Sequence, residues 1–419
     1  MKKPELLMPA GNLEKLEYAV RYGADAVYLG VVDFSLRAMR KGSLITMENL
    51  KEAVDLAHSL GAKAYVTLNI FAFNNDIKLL EENIDVFKDA NPDAFIVSDF
   101  GIFNVLKERI PQIPIHVSTQ TNTLNYEAVK FWKNLGASRV ILARELSIED
   151  IAEIRREVPD IELENFVHGA QCMSFSGRCM LSDYFTDGER GANHGNCSQP
   201  CRWSYELVAK DRENTSCEIV ETARGSHIMS TKDLCLVEYL PELIKAGTDS
   251  LKIEGRTKSL YYVSAVAKTY RQAIDEAFEN PEADLTKYYT ELLKVGNRGY
   301  TTGFALGKHP SDGYSHDISS GLAGADFLFE FLKEEKMNFA GVDGDFYKIR
   351  IKNKTLLNDE IEIITPDEEL TVKVLEIRDE NGDELALGNT NDEIYMKFSQ
   401  SPKNYKYALA RTIGIKERA

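Results

Sequence analysis

Four of the six cysteines in this chain lie in one short stretch of sequence. They are Cys172, Cys179, Cys197 and Cys201. The turn-forming pairs Asp187-Gly188 and Gly195-Asn196 between them predict a loop rather than packed core. Four soft thiolates on a loop suit a tetrahedral zinc ion or an iron–sulfur cluster. A cysteine nucleophile with His168 as its base is a third interpretation, but it needs fewer cysteines than the loop carries.

The residues around this loop leave further alternatives open. Cys235 lies in an apolar stretch that we predict to be helical, so we expect it to be a buried small hydrophobic residue. Cys217 is either a spare thiol or an alternative ligand. His168 comes just before the loop, where its imidazole either titrates near neutral pH or only forms a hydrogen bond.

Polar side chains follow the end of nearly every apolar run that reads as a strand. The candidates are Asn69, Ser98, Asp99, Ser118, Gln120, Arg144, Glu145, His168, Glu254 and Arg256. Glu145 and Glu254 are candidates for acid or base chemistry, because a carboxyl group can accept or donate a proton. Arg144 and Arg256, joined by Arg37, are natural partners for a carboxylate or a phosphate. The structural alternative is that an arginine and a glutamate simply pair with each other.

The elements that must position these residues alternate between strand and helix. The predicted strands are Leu6–Met8, Ala26–Leu29, Ala64–Leu68, Ala94–Val97, Ile115–Val117, Arg139–Leu142, Leu163–Val167 and Ser250–Ile253. Helical patterns lie between them, with Asn12, Asp76 and Ser147 as predicted N-caps and a helix over 232–246. Eight such units predict an α/β fold of the (β/α)₈ TIM-like barrel type, whose active site lies at the carboxyl ends of the strands.

Two domains are expected from the change of pattern along the chain. Residues 1–330 form the barrel-type catalytic domain, and its cysteine-rich insertion, about 170–230, follows strand seven and therefore lies on the catalytic face. Residues 337–419 show period-two strands at 346–351, 360–364 and 371–374, which predict a small antiparallel β-barrel.

Composition limits the surroundings and partners of the protein. The net charge of −16 argues against nucleic-acid binding over the whole surface and leaves room for local basic sites. No apolar run is long enough to span a bilayer, and residues 1–5 lack the apolar core of a signal peptide. We therefore expect a cytoplasmic protein without a membrane partner, in which the thiols stay reduced.

Several sequence motifs resemble those of peptidase family U32, the collagenase-like peptidases of unassigned catalytic type. The longest runs from Glu164-Asn-Phe-Val-His-Gly-Ala-Gln-Cys172 through Ser176-Gly-Arg-Cys179-Met-Leu-Ser182. The other similar segments are Glu5–Glu14, Gly23–Gly30, Ser230–Leu234, Lys252–Arg256 and Arg298–Phe304. The terminal β-domain also resembles the extra domain of longer family members.

The resemblance implies a function in RNA modification. Family members include tRNA and ribosomal RNA hydroxylation proteins and a pair acting in oxygen-independent ubiquinone hydroxylation. The chain looks most like the tRNA hydroxylation type, which implies conversion of the wobble uridine to 5-hydroxyuridine, with prephenate as cosubstrate. By the same resemblance Cys172, Cys179, Cys197 and Cys201 hold a [4Fe–4S] cluster, with zinc as the alternative occupant. The implied partners are tRNA, a small dicarboxylate metabolite and a paralogous U32 protein.

Two other functions stay open at this point. A collagenase-like peptidase would need a mechanism, but the sequence contains neither His-Glu-x-x-His nor Gly-x-Ser-x-Gly. A cluster-bearing partner subunit without its own turnover is the second alternative. The fourth cluster ligand is also open between Cys201, Cys217 and Cys235.

Overall fold

The structure, a computed structural model, describes residues 2–35, 45–172, 174, 181–186, 197–202, 231–307, 313, 323–337, 339 and 345–417. Arg37, Cys179 and Cys217 lie outside the described residues. The helices are Leu13–Arg21 (α1), Leu50–Ser59 (α2), Asn74–Glu82 (α3), Ile84–Ala90 (α4), Phe100–Arg109 (α5), Tyr126–Leu135 (α6), Ile148–Glu157 (α7), Leu181–Phe185 (α8), Leu240–Lys245 (α9), Leu260–Glu279 (α10) and Thr286–Leu292 (α11).

The strands fall into a first group up to residue 301 and a second group after it. The first group is Glu5–Ala10 (β1), Ala26–Gly30 (β2), Lys63–Leu68 (β3), Ala94–Val97 (β4), Ile115–Val117 (β5), Arg139–Ile141 (β6), Glu162–Gly169 (β7), Asp233–Cys235 (β8), Ser250–Ile253 (β9) and Tyr300–Thr301 (β10). The second group is Ala323–Gly324 (β11), Phe327–Met337 (β12), Phe346–Ile351 (β13), Thr355–Leu356 (β14), Glu360–Ile364 (β15), Glu369–Arg378 (β16), Leu387–Gly388 (β17), Glu393–Phe398 (β18), Leu409–Thr412 (β19) and Lys416–Glu417 (β20).

Eight parallel strands close into a barrel. Strands β1 to β7 pair in chain order, and β9 closes the ring by pairing with both β7 and β1. Leu251 of β9 lies opposite Leu6 on one side and Asn165 on the other. The strands are almost wholly buried, as expected for a parallel sheet covered by helices. The predicted eight-stranded α/β barrel is therefore confirmed.

Residues 232–246 differ from the single helix that the pattern predicts. Asp233–Cys235 form strand β8, a 3₁₀ turn covers Val237–Tyr239, and only Leu240–Lys245 are α-helical. A short apolar run does not distinguish a buried strand from a buried helix, and here pairing decides. Strand β8 runs antiparallel to the end of β7 and parallel to β10, so these residues gain ladder hydrogen bonds from both neighbours.

Two of the three predicted helix caps are confirmed. The side chain of Asn12 accepts a hydrogen bond from the Lys15 amide, and that of Ser147 accepts from the Asp150 amide. Asp76 is instead inside the first turn of α3, where its carboxylate accepts from the Phe73 amide at 2.8 Å. The prediction that Asp76 is the N-cap is therefore wrong by three residues, because an acid in the first turn resembles a cap in sequence.

An ion network inside the large barrel joins the strands on either side of its closure. We call Glu5, Arg139, Glu164 and Lys252 the barrel-closing network. The Arg139 guanidinium contacts Glu5 of β1 at 2.7 Å and Glu164 of β7 at 2.9 Å. The Lys252 ammonium of β9 contacts Glu164 at 2.8 Å. Because these side chains come from β1, β6, β7 and β9, the network fixes how the two ends of the sheet meet.

The pKa values in this network follow from burial and from pairing. Burial by itself would raise the pKa of the Glu5 carboxyl, but the Arg139 guanidinium outweighs it and lowers the pKa below its usual range. Burial lowers the pKa of the Lys252 ammonium, with Glu164 opposing. The Glu5 carboxylate is thus held ionised by its cationic partner.

The second group of strands forms a separate closed barrel. Its antiparallel order is β12-β13-β18-β16-β15-β19. Phe329, Phe331 and Phe398 pack with one another in its core. The predicted small antiparallel β-barrel is therefore confirmed. Within the described ranges, no helix is both long and apolar enough to cross a membrane.

Arg411 of the small barrel ties the two barrels together. Its side chain is wholly buried. The guanidinium contacts Glu291 of α11 at 2.5 Å and Glu362 of β15 at 2.7 Å, and it donates to the Tyr261 hydroxyl of α10 at 3.2 Å. Nearby, the Lys268 ammonium of α10 donates to the carbonyl of Thr365 at 2.9 Å. Charged side chains therefore fix the small barrel on the outside of the large one.

Replacing Lys252 by methionine tests the barrel-closing network. The change removes one of the two cations beside the buried Glu164 carboxylate, and removing one partner of a buried ion pair costs about 3 to 5 kcal/mol. We expect the free energy of unfolding, measured by urea denaturation and circular dichroism at neutral pH, to fall by that amount. Lys373→Met, at an exposed lysine, is the control and should change it by less than about 0.5 kcal/mol. Equal urea midpoints for the two variants would contradict the prediction.

Candidate active site at the barrel mouth

Arg256 lies over the carboxyl end of the barrel, just after β9. Its Nη1 donates to the Ser35 hydroxyl at 2.6 Å and approaches the Thr67 hydroxyl at 3.4 Å. A Cβ added to Gly30 at the end of β2 would lie 1.6 Å from that Nη1, so any larger residue there would displace the guanidinium from this position. Arg256 is thus held at the mouth by side chains that come from the ends of two strands, β2 and β3. Ser35 was not among the predicted residues, because it has no sequence signal that sets it apart.

Arg144 and Glu254 form the ion pair that the sequence left as a structural alternative. Arg144 Nη2 lies 3.6 Å from Glu254 Oε2. The same guanidinium lies 3.8 Å from the centroid of the Phe166 ring and donates to the carbonyl of Ala170 at 2.8 Å. Arg144 therefore connects the end of β6 with the end of β9 and with the start of the cysteine loop.

The other predicted mouth residues lie at neighbouring strand ends. Asn69 follows β3 and is half-buried, and its Oδ1 is 3.4 Å from the Ser35 hydroxyl, which places it in the Arg256 cluster. Gln120 lies in the 3₁₀ turn after β5, where its backbone N–H donates to the Ser118 hydroxyl. Glu145 follows Arg144 and is half-buried. These residues therefore share the carboxyl face of the barrel with Arg144, Glu254 and Arg256.

His168 lies apart from this polar cluster. Its side chain is 1% exposed and packs against the rings of Tyr262, Tyr270 and Tyr300 at 5.3 to 6.0 Å. Burial lowers the pKa of His168 to about 3, although Asp233 opposes the shift. Of the two alternatives for His168, hydrogen bonding is therefore favoured over titration near neutral pH: its Nδ1 lies 3.4 Å from the Tyr270 hydroxyl, and its ring is neutral throughout the physiological range.

The two segments that flank the cysteine loop are fixed to each other. The Thr231 hydroxyl donates to the carbonyl of Gln171 at 3.2 Å. Two residues further along, Asp233 forms a buried ion pair with Arg298, whose Nε lies 3.1 Å from the carboxylate. Sequence patterns did not single out Thr231, Asp233 and Arg298 as a unit, although Thr231 and Asp233 lie in one segment that resembles the family and Arg298 lies in another. The structure thus brings two distant motifs together beneath the start of the loop.

Three of the four predicted ligand cysteines are among the described residues. Cys172 is exposed immediately after β7, and Cys197 is exposed just before the 3₁₀ turn that contains Cys201. The amide of Ser198 donates to the Ser182 hydroxyl at 2.8 Å, which ties this second segment to α8. Across the described ranges, no three His, Cys, Asp or Glu side chains are grouped as a metal site.

Cys235 does not have the properties of a ligand. It is buried in β8, where its sulfur lies 3.9 Å from the Tyr270 hydroxyl. Burial raises the pKa of the Cys235 thiol to about 12, so the thiolate that a metal needs is disfavoured. The prediction of a buried small residue is confirmed, although the residue is in a strand and not in a helix.

The fold and this mouth define the class of protein: an eight-stranded α/β barrel with a polar, arginine-bearing mouth and a cysteine loop leaving strand β7. The chain matches peptidase family U32 over residues 11–314 and the family's C-terminal domain over residues 335–411. The chain belongs to peptidase family U32.

Relatives with different names lie within this similarity. The tRNA hydroxylation protein P of Haemophilus influenzae is 38% identical, and the match covers 97% of this chain and 95% of the relative. The tRNA hydroxylation protein P1 of Bacillus subtilis is 39% identical, covering 98% and 95%. A collagenase of Porphyromonas gingivalis is 33% identical, covering 76% and 77%.

The buried neutral state of His168 predicts a pH dependence of stability. The unfolded chain binds a proton at this residue near pH 6.5, whereas the folded protein binds it only near pH 3. The stabilisation from the neutral ring is therefore complete above pH 6.5 and is lost as the pH falls towards 3. When the pH is lowered from 7 to 5, the free energy of unfolding should fall by about 2 kcal/mol less in His168→Gln than in the wild type. Parallel urea stability curves against pH for the two proteins would contradict this assignment.

Proposed function

We propose that this protein is an enzyme that hydroxylates tRNA. The observation that carries the proposal is the identity of 38–39% with two tRNA hydroxylation proteins, over at least 95% of both chains in each case. A match of that extent includes both barrels and both flanks of the cysteine loop. In this proposal tRNA is the macromolecular substrate, and the protein acts in the cytoplasm.

The finer proposal is that the wobble uridine becomes 5-hydroxyuridine by an oxygen-independent, prephenate-linked route. It is supported by the two guanidinium groups at the mouth, because arginine matches a carboxylate with two parallel hydrogen bonds. In this proposal Arg256, oriented by Ser35 and Thr67, binds one carboxylate of the small metabolite. Arg144 binds the second, exchanging its 3.6 Å contact with Glu254 for the ligand.

The carboxylates and amides of the mouth have complementary roles in this proposal. Glu254, released from Arg144, is the candidate acid or base, with Glu145 as the second candidate. Asn69 and Gln120 present amide groups, which donate to and accept from the edge of a uracil ring. Arg37 is proposed to add a third positive charge. His168, buried and neutral, contributes by fixing the wall behind β7.

The proposed cofactor is a [4Fe–4S] cluster held by Cys172, Cys179, Cys197 and Cys201, with zinc as the alternative occupant. The donor set fits, because thiolates are the preferred ligands of both. The exposed thiols of Cys172 and Cys197 are accessible to a metal, and the burial of Cys235 argues against it as a fourth ligand. When bound, such a cluster supplies one-electron redox chemistry.

A peptidase activity is the second candidate, favoured by the 33% identity to a collagenase. Hydrolysis of a peptide requires an activated nucleophile or a metal-bound water. His168 is too deeply buried and too weakly basic to activate a neighbouring thiol. We expect purified protein to leave gelatin intact in a zymogram; cleavage that disappears in Cys172→Ala would favour the peptidase instead.

A third candidate is a partner subunit that acts only with a paralogous U32 protein. This candidate predicts no turnover by the purified chain alone.

The decisive experiment is mass spectrometry of tRNA from a strain that lacks this gene, in a host without a redundant paralogue or an oxygen-dependent route. We expect wobble 5-hydroxyuridine to disappear and to return with the wild-type gene. Cys172→Ala should fail to restore it and should yield protein without iron after anaerobic purification. The physical reason is that a cluster loses a thiolate that its neighbours cannot replace.

Cys235→Ala is the matched control, since it removes a thiol that is buried and far from ionisation. It should keep both the iron and the modified nucleoside. Unchanged 5-hydroxyuridine in the deletion strain would refute the proposed function, and a cluster-free Cys172→Ala protein that still restores the nucleoside would refute the proposed role of the cluster.

Replacing Arg256 by glutamine tests the anion-binding role of the mouth. Charge-assisted hydrogen bonds contribute about 1.5 to 3 kcal/mol, so 5-hydroxyuridine formation at limiting metabolite should fall by roughly 10- to 100-fold. Raising the metabolite concentration should partly restore it, because binding rather than folding is impaired. Arg350→Gln on the small barrel, where Arg350 pairs with Glu330 and Glu393, is the control and should keep normal activity. A loss that is independent of metabolite concentration would contradict the binding role.

A further inference from the structure

A stack of aromatic rings lies on the outside of the large barrel. We define the aromatic patch as Phe100, Phe131 and Trp132. The Phe100 ring lies nearly parallel to the Trp132 indole, with an interplanar angle of 19° and centroids 4.9 Å apart. The Phe131 ring meets the same indole edge-on at 71° and 5.6 Å. The indole is therefore covered on one face by a ring parallel to it.

The outer rings of this stack are open to solvent. The exposed fraction is 59% for Phe100 and 51% for Phe131, whereas Trp132 is only 6% exposed. Phe73, at the start of α3, is 66% exposed. Exposed phenylalanine rings in one region are unfavourable in water and usually mark a surface that binds something. The exposed face of Phe100 can extend the stack by one more flat ring.

Hydrogen bonds hold the aromatic patch beside the barrel mouth. Phe100 directly follows Asp99, whose carboxylate caps α5 and also accepts from the Ala72 amide at 3.3 Å. The Trp132 indole N–H donates to the Thr123 hydroxyl at 3.2 Å. Thr123 in turn shares a 2.9 Å hydrogen bond with the Thr121 hydroxyl, next to Gln120. The patch is thus continuous with the ends of β4 and β5, which carry predicted mouth residues.

The chemistry of the patch favours unpaired nucleobases as its occupant. The net charge of −16 means that long-range attraction cannot hold a polyanion, so affinity must come from local contacts. Stacking of bases on aromatic side chains supplies such contacts for single-stranded RNA without regard to sequence. A base that enters the mouth must leave the stack of its neighbours, and those neighbours then need another flat surface.

We propose that the aromatic patch is a stacking surface for the unpaired bases that flank the target uridine. This inference rests on the proposed tRNA function. It assigns Phe100 to contact one flanking base face to face, with Trp132 supporting it from behind. Phe73, the exposed ring that immediately precedes α3, is assigned to a further base along the RNA.

The test measures binding of a stem–loop RNA with an unpaired uridine-containing loop by fluorescence anisotropy, using the full-length protein. Phe100→Leu keeps an apolar side chain of similar volume but removes the flat ring. We expect it to weaken binding of the stem–loop by about 5- to 100-fold, as loss of one stacking contact does. Phe100→Tyr, which keeps the ring, should bind like the wild type. A fully paired duplex should bind weakly and equally to all variants, since its bases are not available.

Phe278→Leu is the matched control, because Phe278 is also exposed but lies near the far end of α10. It should change the affinity by less than twofold. Suppose that deletion of the gene abolishes 5-hydroxyuridine but that the wild type and Phe100→Leu bind the stem–loop with equal affinity. This result would overturn the stacking surface and leave the proposed function intact. Self-association that Phe100→Leu abolishes, with unchanged RNA affinity, would overturn it in favour of a contact between copies of the chain. If the deletion leaves the tRNA unchanged but Phe100→Leu still weakens RNA binding, the patch stacks RNA bases, but the proposed function fails and with it the assignment of those bases to a target uridine.

Discussion

The large barrel depends on buried charges that meet where its sheet closes. Arg139 and Lys252 reach across from β6 and β9 to Glu5 and Glu164 on β1 and β7. Apolar side chains would fill the same space, but they would accept several registers with little difference in energy. Paired charges accept only one register, because a shift of one residue leaves a buried charge without its partner. Their value therefore lies in specifying one closure, from which the positions of Glu254, Arg256 and the loop after β7 follow.

The strand ends and the small-barrel pattern could be read from sequence, because burial on both faces and strict alternation leave clear periodicities. The mouth residues Asn69, Gln120, Arg144, Glu145, Glu254 and Arg256 were predictable for the same reason: each comes just after an apolar run. The pairing between strands and the contacts between side chains distant in sequence were not predictable. Strand β8 forms only because β7 and β10 offer it partners, and Ser35 and Thr67 join Arg256 from distant positions in the chain.

The surroundings of His168 illustrate the same limit. A histidine beside a cysteine-rich loop suggests acid–base chemistry, and nothing local reveals that Tyr262, Tyr270 and Tyr300 will surround it. These tyrosines lie 94 to 132 positions later in the chain, on α10 and β10. Because these tyrosines bury the His168 ring, they determine its protonation state. Arg411 is a comparable case, because a basic residue near the C-terminus turns out to be a buried link between two barrels.

The hydrogen bond between Thr231 and Gln171 has a consequence for how this protein can vary. It closes the chain between these residues at its base, so the barrel is complete whether the intervening segment is long or short. The entropic cost of closing a loop grows only with the logarithm of its length, at about 0.6 kcal/mol for each doubling. A change in the length of the connection therefore adds little to the cost of bringing Gln171 and Thr231 together. Gln171, just after β7, and Thr231, just before β8, thus meet at a fixed point, and the chain between them can change in length at little entropic cost to the barrel.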